Sequence, residues 1–168
     1  MGLDPSKLEK LIGQESDLLR ALDPVTKSDI RHWCEVFGDP DPDYAQKIAR
    51  VAKPAPPTML LVWAMKALWP PRAEAREPHE QLFALLAEAG YSTVLGMGLD
   101  QEFQRPVGVG ERLGYRVKVV GVSSGEEKSA FGSGYRVDLL YTFFDSKGAV
   151  VGTQGCQVFA YQTLRPAA

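Results

Sequence analysis

The sequence predicts an α+β fold in which a curved antiparallel sheet wraps a long central apolar helix. Two observations predict it. Between Met59 and Trp69 the only charge is Lys66, so every face of a helix there presents Leu, Val, Met, Ala or Trp, and a helix apolar all round must be buried. From Tyr91 onward the apolar spacing shortens from roughly 3.6 residues to 2, the period of a strand. A sheet curved around the helix buries both apolar surfaces at once.

The chain of 168 residues is expected to form one domain over 1–168, with 1–25 as an N-terminal helix and arm. The apolar run from Met59 is too short to cross a bilayer, which takes about 20 residues. Net charge is −2, and no basic run could neutralise a string of phosphates, so neither nucleic acid nor membrane is an expected partner. Cys34 and Cys156 stand without metal-ligand spacing and read as buried thiols, with no metal expected. The first residues carry neither a signal peptide's apolar centre nor a lipidation pattern, from which a cytoplasmic location is expected.

In chain order, Leu8, Leu11 and Ile12 fall at helical spacing, predicting a short helix and then an irregular arm. Thr26 precedes Lys27-Ser28-Asp29 as an N-cap with an acid in the first turn. Ile30, Trp33, Cys34 and Phe37 then form one apolar stripe, closed by Gly38. His32 lies off that stripe and reads as solvated. Asp39-Pro40-Asp41-Pro42-Asp43-Tyr44 is an acidic turn stiffened by proline; it lacks the spacing of a calcium-binding EF-hand loop. Pro54 to Pro57 stiffen the approach to the apolar helix and leave Thr58 as its expected N-cap, while Pro70-Pro71 stop it. Glu80 to Ala89 reads as a second short helix closed by Gly90, with His79 a surface residue at its start.

Thr93 to Arg105 is a strand eased by Gly96 and Gly98, and Arg105-Pro106-Val107-Gly108-Val109-Gly110 is a turn. Tyr115, Val117 and Val119 alternate with Arg116, Lys118 and Val120 in a half-buried strand. Tyr135 to Phe143 is another, turned by Asp145-Ser146-Lys147-Gly148 into a returning strand from Val150 to Leu164. Four or five long antiparallel strands are expected.

Several short motifs together resemble the hot-dog fold of the MaoC-like hydratases and dehydratases. They are Ile12 to Ser16, Val25 to Phe37, Gly38-Asp39-Pro40-Asp41-Pro42, Ala55-Pro56-Pro57-Thr58-Met59, and Gln101 to Val107 with Gly110. In active members the loop runs Gly-Asp-x-Asn-Pro-x-His, whose Asp and His handle water and a proton across the double bond of an enoyl thioester. Asp39 and Pro42 match, Asp41 replaces Asn, and Tyr44 replaces His. A phenol with an ordinary pKa of about 10 is a poor proton shuttle at neutral pH. The active helix begins His-Gly-Met, where the glycine amide helps hold the oxyanion. Pro57-Thr58-Met59 stand there, with no N–H on the proline and a side chain on the threonine.

These departures resemble the N-terminal, FAS1-like branch, including the MaoC-like domain of the larger subunit of actinobacterial steroid side-chain enoyl-CoA hydratases. Ala89-Gly90-Tyr91 and Phe131 to Tyr135 carry that nearer likeness. The resemblance implies a non-catalytic subunit that pairs with a catalytic MaoC-like hot-dog chain, as heterodimer or heterotetramer, and accommodates a bulky enoyl-CoA. No catalytic residue is then expected at Asp39, Asp41 and Tyr44. Pro57, Thr58, Met59, Arg105, Val107 and Gly110 are the candidate substrate-binding residues, although a structural turn explains the last three equally well. No cofactor is implied, the CoA thioester being substrate. Lys66, Arg72 and Arg76 are candidates for a basic rim, or simply solvated. Alternatives are a (3R)-hydroxyacyl-ACP dehydratase subunit, a non-enzymatic acyl-CoA binding module and a hot-dog thioesterase using Asp39. The larger subunits of that branch continue into a second domain, so the chain is expected to be a shorter homologue or one domain of a longer product.

Overall fold

The computed structural model describes residues 3–38, 55–65 and 76–163. Asp39, Asp41, Tyr44, Lys66, Arg72 and the Pro70-Pro71 stop lie outside these residues. The short first helix is α1, Pro5–Glu9, whose N-cap Asp4 accepts from Ser6 N–H. The arm behind it is less irregular than expected, because Leu19–Arg20 forms β1 and pairs with a strand from the second half of the chain.

Helix α2, Lys27–Phe37, starts as predicted: Thr26 Oγ1 accepts from Asp29 N–H, and Gly38 closes it at a left-handed φ of 59°. Its apolar stripe is only partly used. Ile30 is buried, but Phe37 is 68% exposed and packs tilted against Trp33 at 4.8 Å between ring centroids. The helix is anchored at its foot, where Val25 exchanges backbone hydrogen bonds with Gly110 and Glu111, so the far end of the stripe runs off the core.

The apolar run from Met59 departs from expectation in three respects. A 3₁₀ turn, Pro57–Met59, precedes helix α3, Leu60–Ala64. Thr58 is therefore not an N-cap. Proline is tolerated as the first helical residue, so the helical turn begins one residue earlier, and the capping positions fall on Pro56 and then Met59, which make no side-chain cap bond. Met65 leaves helical geometry with ψ 137°, well before Pro70. Nor is every face buried: Leu60, Trp63 and Ala64 are, whereas Val62 is 55% exposed.

Helix α4, Pro78–Glu88, carries a reciprocal capping box between Glu77 and Glu80. It packs on β3, and its Leu82 and Leu86 are wholly buried. The core cluster thus takes residues from four helices, Leu8 of α1, Ile30 of α2, Leu60 of α3 and Leu82 of α4, around the one central helix that was expected.

Six antiparallel strands build the sheet: β1, β2 (Thr93–Phe103), β3 (Gly114–Val122), β4 (Glu127–Ser129), β5 (Gly132–Phe144) and β6 (Val150–Thr163). Their order is β1-β3-β5-β6-β2, with β4 added beside β5. The four long strands are those the alternation predicts, and β2 has its irregularity at Gly96/Gly98. Asp145 Oδ1 accepts from Lys147 and Ala149 N–H at 2.8 and 3.0 Å, closing the β5–β6 hairpin. The helix-facing side carries Val117, Val119, Val137, Leu139 and Phe143, all in one cluster with Leu60, Trp63, Leu82 and Leu86.

A candidate thioester-facing turn and the loop that holds it

The candidate residues fall on two adjoining segments. The first is Ala55 to Met59. Ala55 and Pro56 are buried, Pro57 and Thr58 are exposed, and Met59 packs partly against the core. Pro56 and Pro57 have no N–H, so Ala55 supplies the last backbone donor before Thr58. That donor goes to the carbonyl of Val107 at 2.6 Å. Beyond the turn, Leu60 lies over Gly152 of β6, where a side chain would meet Leu60 Cδ1 at 2.8 Å and the Glu102 carbonyl at 2.7 Å.

The second segment is the loop from Arg105 to Leu113. Arg105 directs Nη1 and Nη2 at the two oxygens of Glu111, at 3.2 and 2.7 Å, and Nη2 also reaches Asp145 Oδ2 at 2.8 Å. Glu111 Oε1 accepts in addition from Gly108 N–H at 2.6 Å. Bidentate charge-assisted bonds of this kind are the stronger ones in proteins. Arg105 beside them holds the Glu111 and Asp145 carboxyls below their usual range, and the two carboxylates raise the Arg105 guanidinium in turn. Gly110 takes a left-handed φ of 90° and donates to Val25, while Val107 is buried. Arg112 reaches back to the carbonyls of Ala21 and Leu22.

The structure therefore brings Val107 to the turn through Ala55 and places Gly110 against the foot of α2. The Arg105 guanidinium is committed to two carboxylates and a backbone carbonyl, that of Pro106. Arg76, a candidate for a basic rim, donates its backbone N–H to Glu80. His32 is exposed on α2, and His79 is half-buried at the start of α4.

Sequence reasoning missed a polar row on the helix-facing side of the sheet. Gln154 is 97% buried there, being only 3% exposed. Its Oε1 accepts from Gln101 Nε2 at 2.7 Å, and its Nε2 donates to Cys156 Sγ at 3.2 Å. Tyr141 stands opposite Gln154 on β5. Burial, reinforced by Cys156 and Tyr115, pushes its phenol up to about 12. The available signal was the alternation itself: Gln154 shares its phase with Gly152, Cys156, Val158 and Ala160. Neither cysteine is in a disulfide, and both are half-buried rather than fully so. Behind the sheet, a 400 Å³ trough floored by Gly98 and Gly155 holds two carboxylates, Asp100 and Asp138, and the Gln157 amide on the face away from the turn. Among the described residues no group of three His, Cys, Asp or Glu side chains is arranged to hold a metal, and no helix is long and apolar enough to span a membrane.

A helix lying over an antiparallel sheet in this strand order is a hot-dog domain, and the comparisons give its family. The FAS1-like, dehydratase domain region matches residues 10–154, and the chain belongs to this MaoC-like hot-dog family. The probable enoyl-CoA hydratase alpha subunit of Thermomonospora curvata is 35% identical over 151 residues, 85% of this chain. That alignment takes in 47% of the relative, so the chain spans about half the relative's length. Among solved structures, the ChsH1-ChsH2 complex from Mycobacterium tuberculosis is similar at a TM-score of 0.78 and 23% identity, covering 98% of this chain and 94% of the other. The HadBC (3R-hydroxyacyl-ACP dehydratase) complex from Mycobacterium tuberculosis is similar at 0.52 and 14%, covering 86% and 95%. At those identities the two structures speak for the fold alone.

Proposed function

We propose that this chain is the substrate-accommodating, non-catalytic subunit of a heteromeric MaoC-like enoyl-CoA hydratase. Its substrate class is a bulky enoyl-CoA, such as a steroid side-chain thioester, and its partner is a catalytic hot-dog chain. The observation that carries the reading is the turn at Pro57 and Thr58. Where active relatives have His-Gly, with the glycine amide offered to the thioester oxygen, this chain has Pro57, which has no N–H, and then Thr58 at the glycine's place, whose exposed side chain crowds the approach to its amide. The family's histidine position, occupied by Tyr44, points the same way, and the 35% identical relative bears the name of a hydratase alpha subunit.

Strand β2 supports the partnered state. Among the described residues it is the last strand on its side of the sheet, and it carries the exposed Val94, Leu99 and Phe103. Long apolar edges in water invite pairing. In this reading the chain works in the cytoplasm and without a cofactor.

The test is an enoyl-CoA hydration assay on the purified chain, alone and mixed with a MaoC-like chain that carries the intact Gly-Asp-x-Asn-Pro-x-His loop. No turnover alone and restored turnover in the mixture are expected. Appreciable turnover by the lone chain, reduced by Asp39→Ala, overturns the reading. Parallel assays with carrier-protein thioesters separate it from a dehydratase subunit.

A further inference from the structure

We propose that Arg105 is a positioning residue for the Pro57–Met59 turn, acting through Glu111, Val107 and Ala55. The turn hangs between two supports. Upstream, Pro56 and Pro57 can donate nothing, so the Ala55 N–H bond to the Val107 carbonyl, at 2.6 Å, is its backbone tie to the loop beneath. Downstream, Leu60 rests over Gly152.

Arg105 joins the two supports. Its fork on Glu111 closes the loop around buried Val107, because the same Glu111 Oε1 takes Gly108 N–H at 2.6 Å. Its second bond, to Asp145 at 2.8 Å, ties that loop to the β5–β6 hairpin, whose returning strand carries Gly152. Gln104 N–H donates to the Val151 carbonyl at 3.0 Å beside it. A planar guanidinium serves two carboxylates at fixed angles, which a lysine ammonium does not. The Asp145 side chain is 13% and the Arg105 side chain 35% exposed, so the bond is partly shielded from solvent. Arg105 thus sets the height of the turn above the sheet through Glu111 and Asp145.

The inference rests on reading that turn as thioester-facing, but its first test does not. Amide hydrogen exchange is measured on the full chain and on Arg105→Met and Arg105→Lys. In Arg105→Met the Ala55 and Gly108 amides are expected to exchange about tenfold faster, while amides of β5 and β6 stay within about twofold. Arg105→Lys falls between, since it keeps the charge and loses the fork. Glu111→Gln, which keeps an acceptor for Gly108, is the milder variant should Arg105→Met fail to fold, and moves Ala55 in the same direction. Unchanged exchange at Ala55, or equal acceleration throughout the sheet, overturns the proposal. In the reconstituted complex Arg105→Met is expected to raise KM for the bulky thioester about fivefold and leave kcat within about twofold, the mark of lost uniform binding. Faster Ala55 exchange with an unmoved KM removes the functional part. An inactive wild-type complex counts against the hydratase reading alone, and the exchange result still decides the positioning role.

Discussion

Leu60 lies directly over Gly152, so closely that a Cβ on the glycine would stand 2.8 Å from Leu60 Cδ1 and 2.7 Å from the Glu102 carbonyl. The helix after the candidate turn is seated on the sheet at a residue with no side chain. Gly152→Ala is therefore expected to destabilise the fold by about 1–3 kcal/mol, the usual cost of overpacking. Leu60→Ala removes a fully buried side chain and is expected to cost about 2–5 kcal/mol. Denaturant unfolding measures both. In the double variant the loss should be less than the sum but not vanish, because the Glu102 carbonyl is backbone and cannot withdraw.

Gln101→Ala tests the polar row. It leaves the Oε1 of buried Gln154 without its 2.7 Å donor, and an unsatisfied buried acceptor costs about 1–3 kcal/mol. A shift of the unfolding midpoint with an unchanged slope is the expected result.

Acid stability should depend on Arg105. The hydrogen bonds from Arg105 hold Glu111 and Asp145 below their ordinary carboxyl range when folded. Unfolding returns both to that range, so the unfolded chain binds protons first as pH falls. The contribution is complete above the ordinary carboxylate range and is lost progressively as pH falls through it to the depressed folded values. Thermal unfolding across that window should show wild type losing more stability than Arg105→Met, in which the carboxyls no longer have their cation. Equal losses would show that other carboxylates carry the acid transition.

At the alkaline end Tyr141 should act in the opposite sense. Its phenol is pushed up to about 12, first by burial, against an ordinary value of about 10. The unfolded chain ionises first, so stability is complete below the ordinary phenol range and falls as pH rises through it to about 12. Spectrophotometric titration should find late-ionising tyrosines, and Tyr141→Phe should remove one of them. Tyr91 is also pushed up to about 12, by burial and by its bond to Glu126, so at least one late phenol remains in that variant.

What the sequence determined by itself was the part of the protein governed by local periodicity. Alternation in Tyr115 to Val122, Tyr135 to Phe143 and the return from Val150 announced the sheet, since a one-residue slip would turn every apolar side chain to water. Thr26, Gly38 and Asp145 were legible because caps and turns satisfy backbone groups with neighbours a few residues away. The motif order marked the family. Distant pairing decided the rest. Strand β1 exists because Leu19 finds Tyr115, and β4 because Glu127 to Ser129 find Gly132 to Gly134, although neither has an apolar rhythm of its own. Thr58 lost its expected capping role to a proline that starts the helical turn early, and the apolar stripe of α2 outran the core it was meant to cover. At the candidate site the residue types were visible in the chain, but their partners were not. Arg105 meets Asp145 across 40 residues, and only the folded sheet brings the loop, the hairpin and the Pro57 turn within hydrogen-bonding reach of one another.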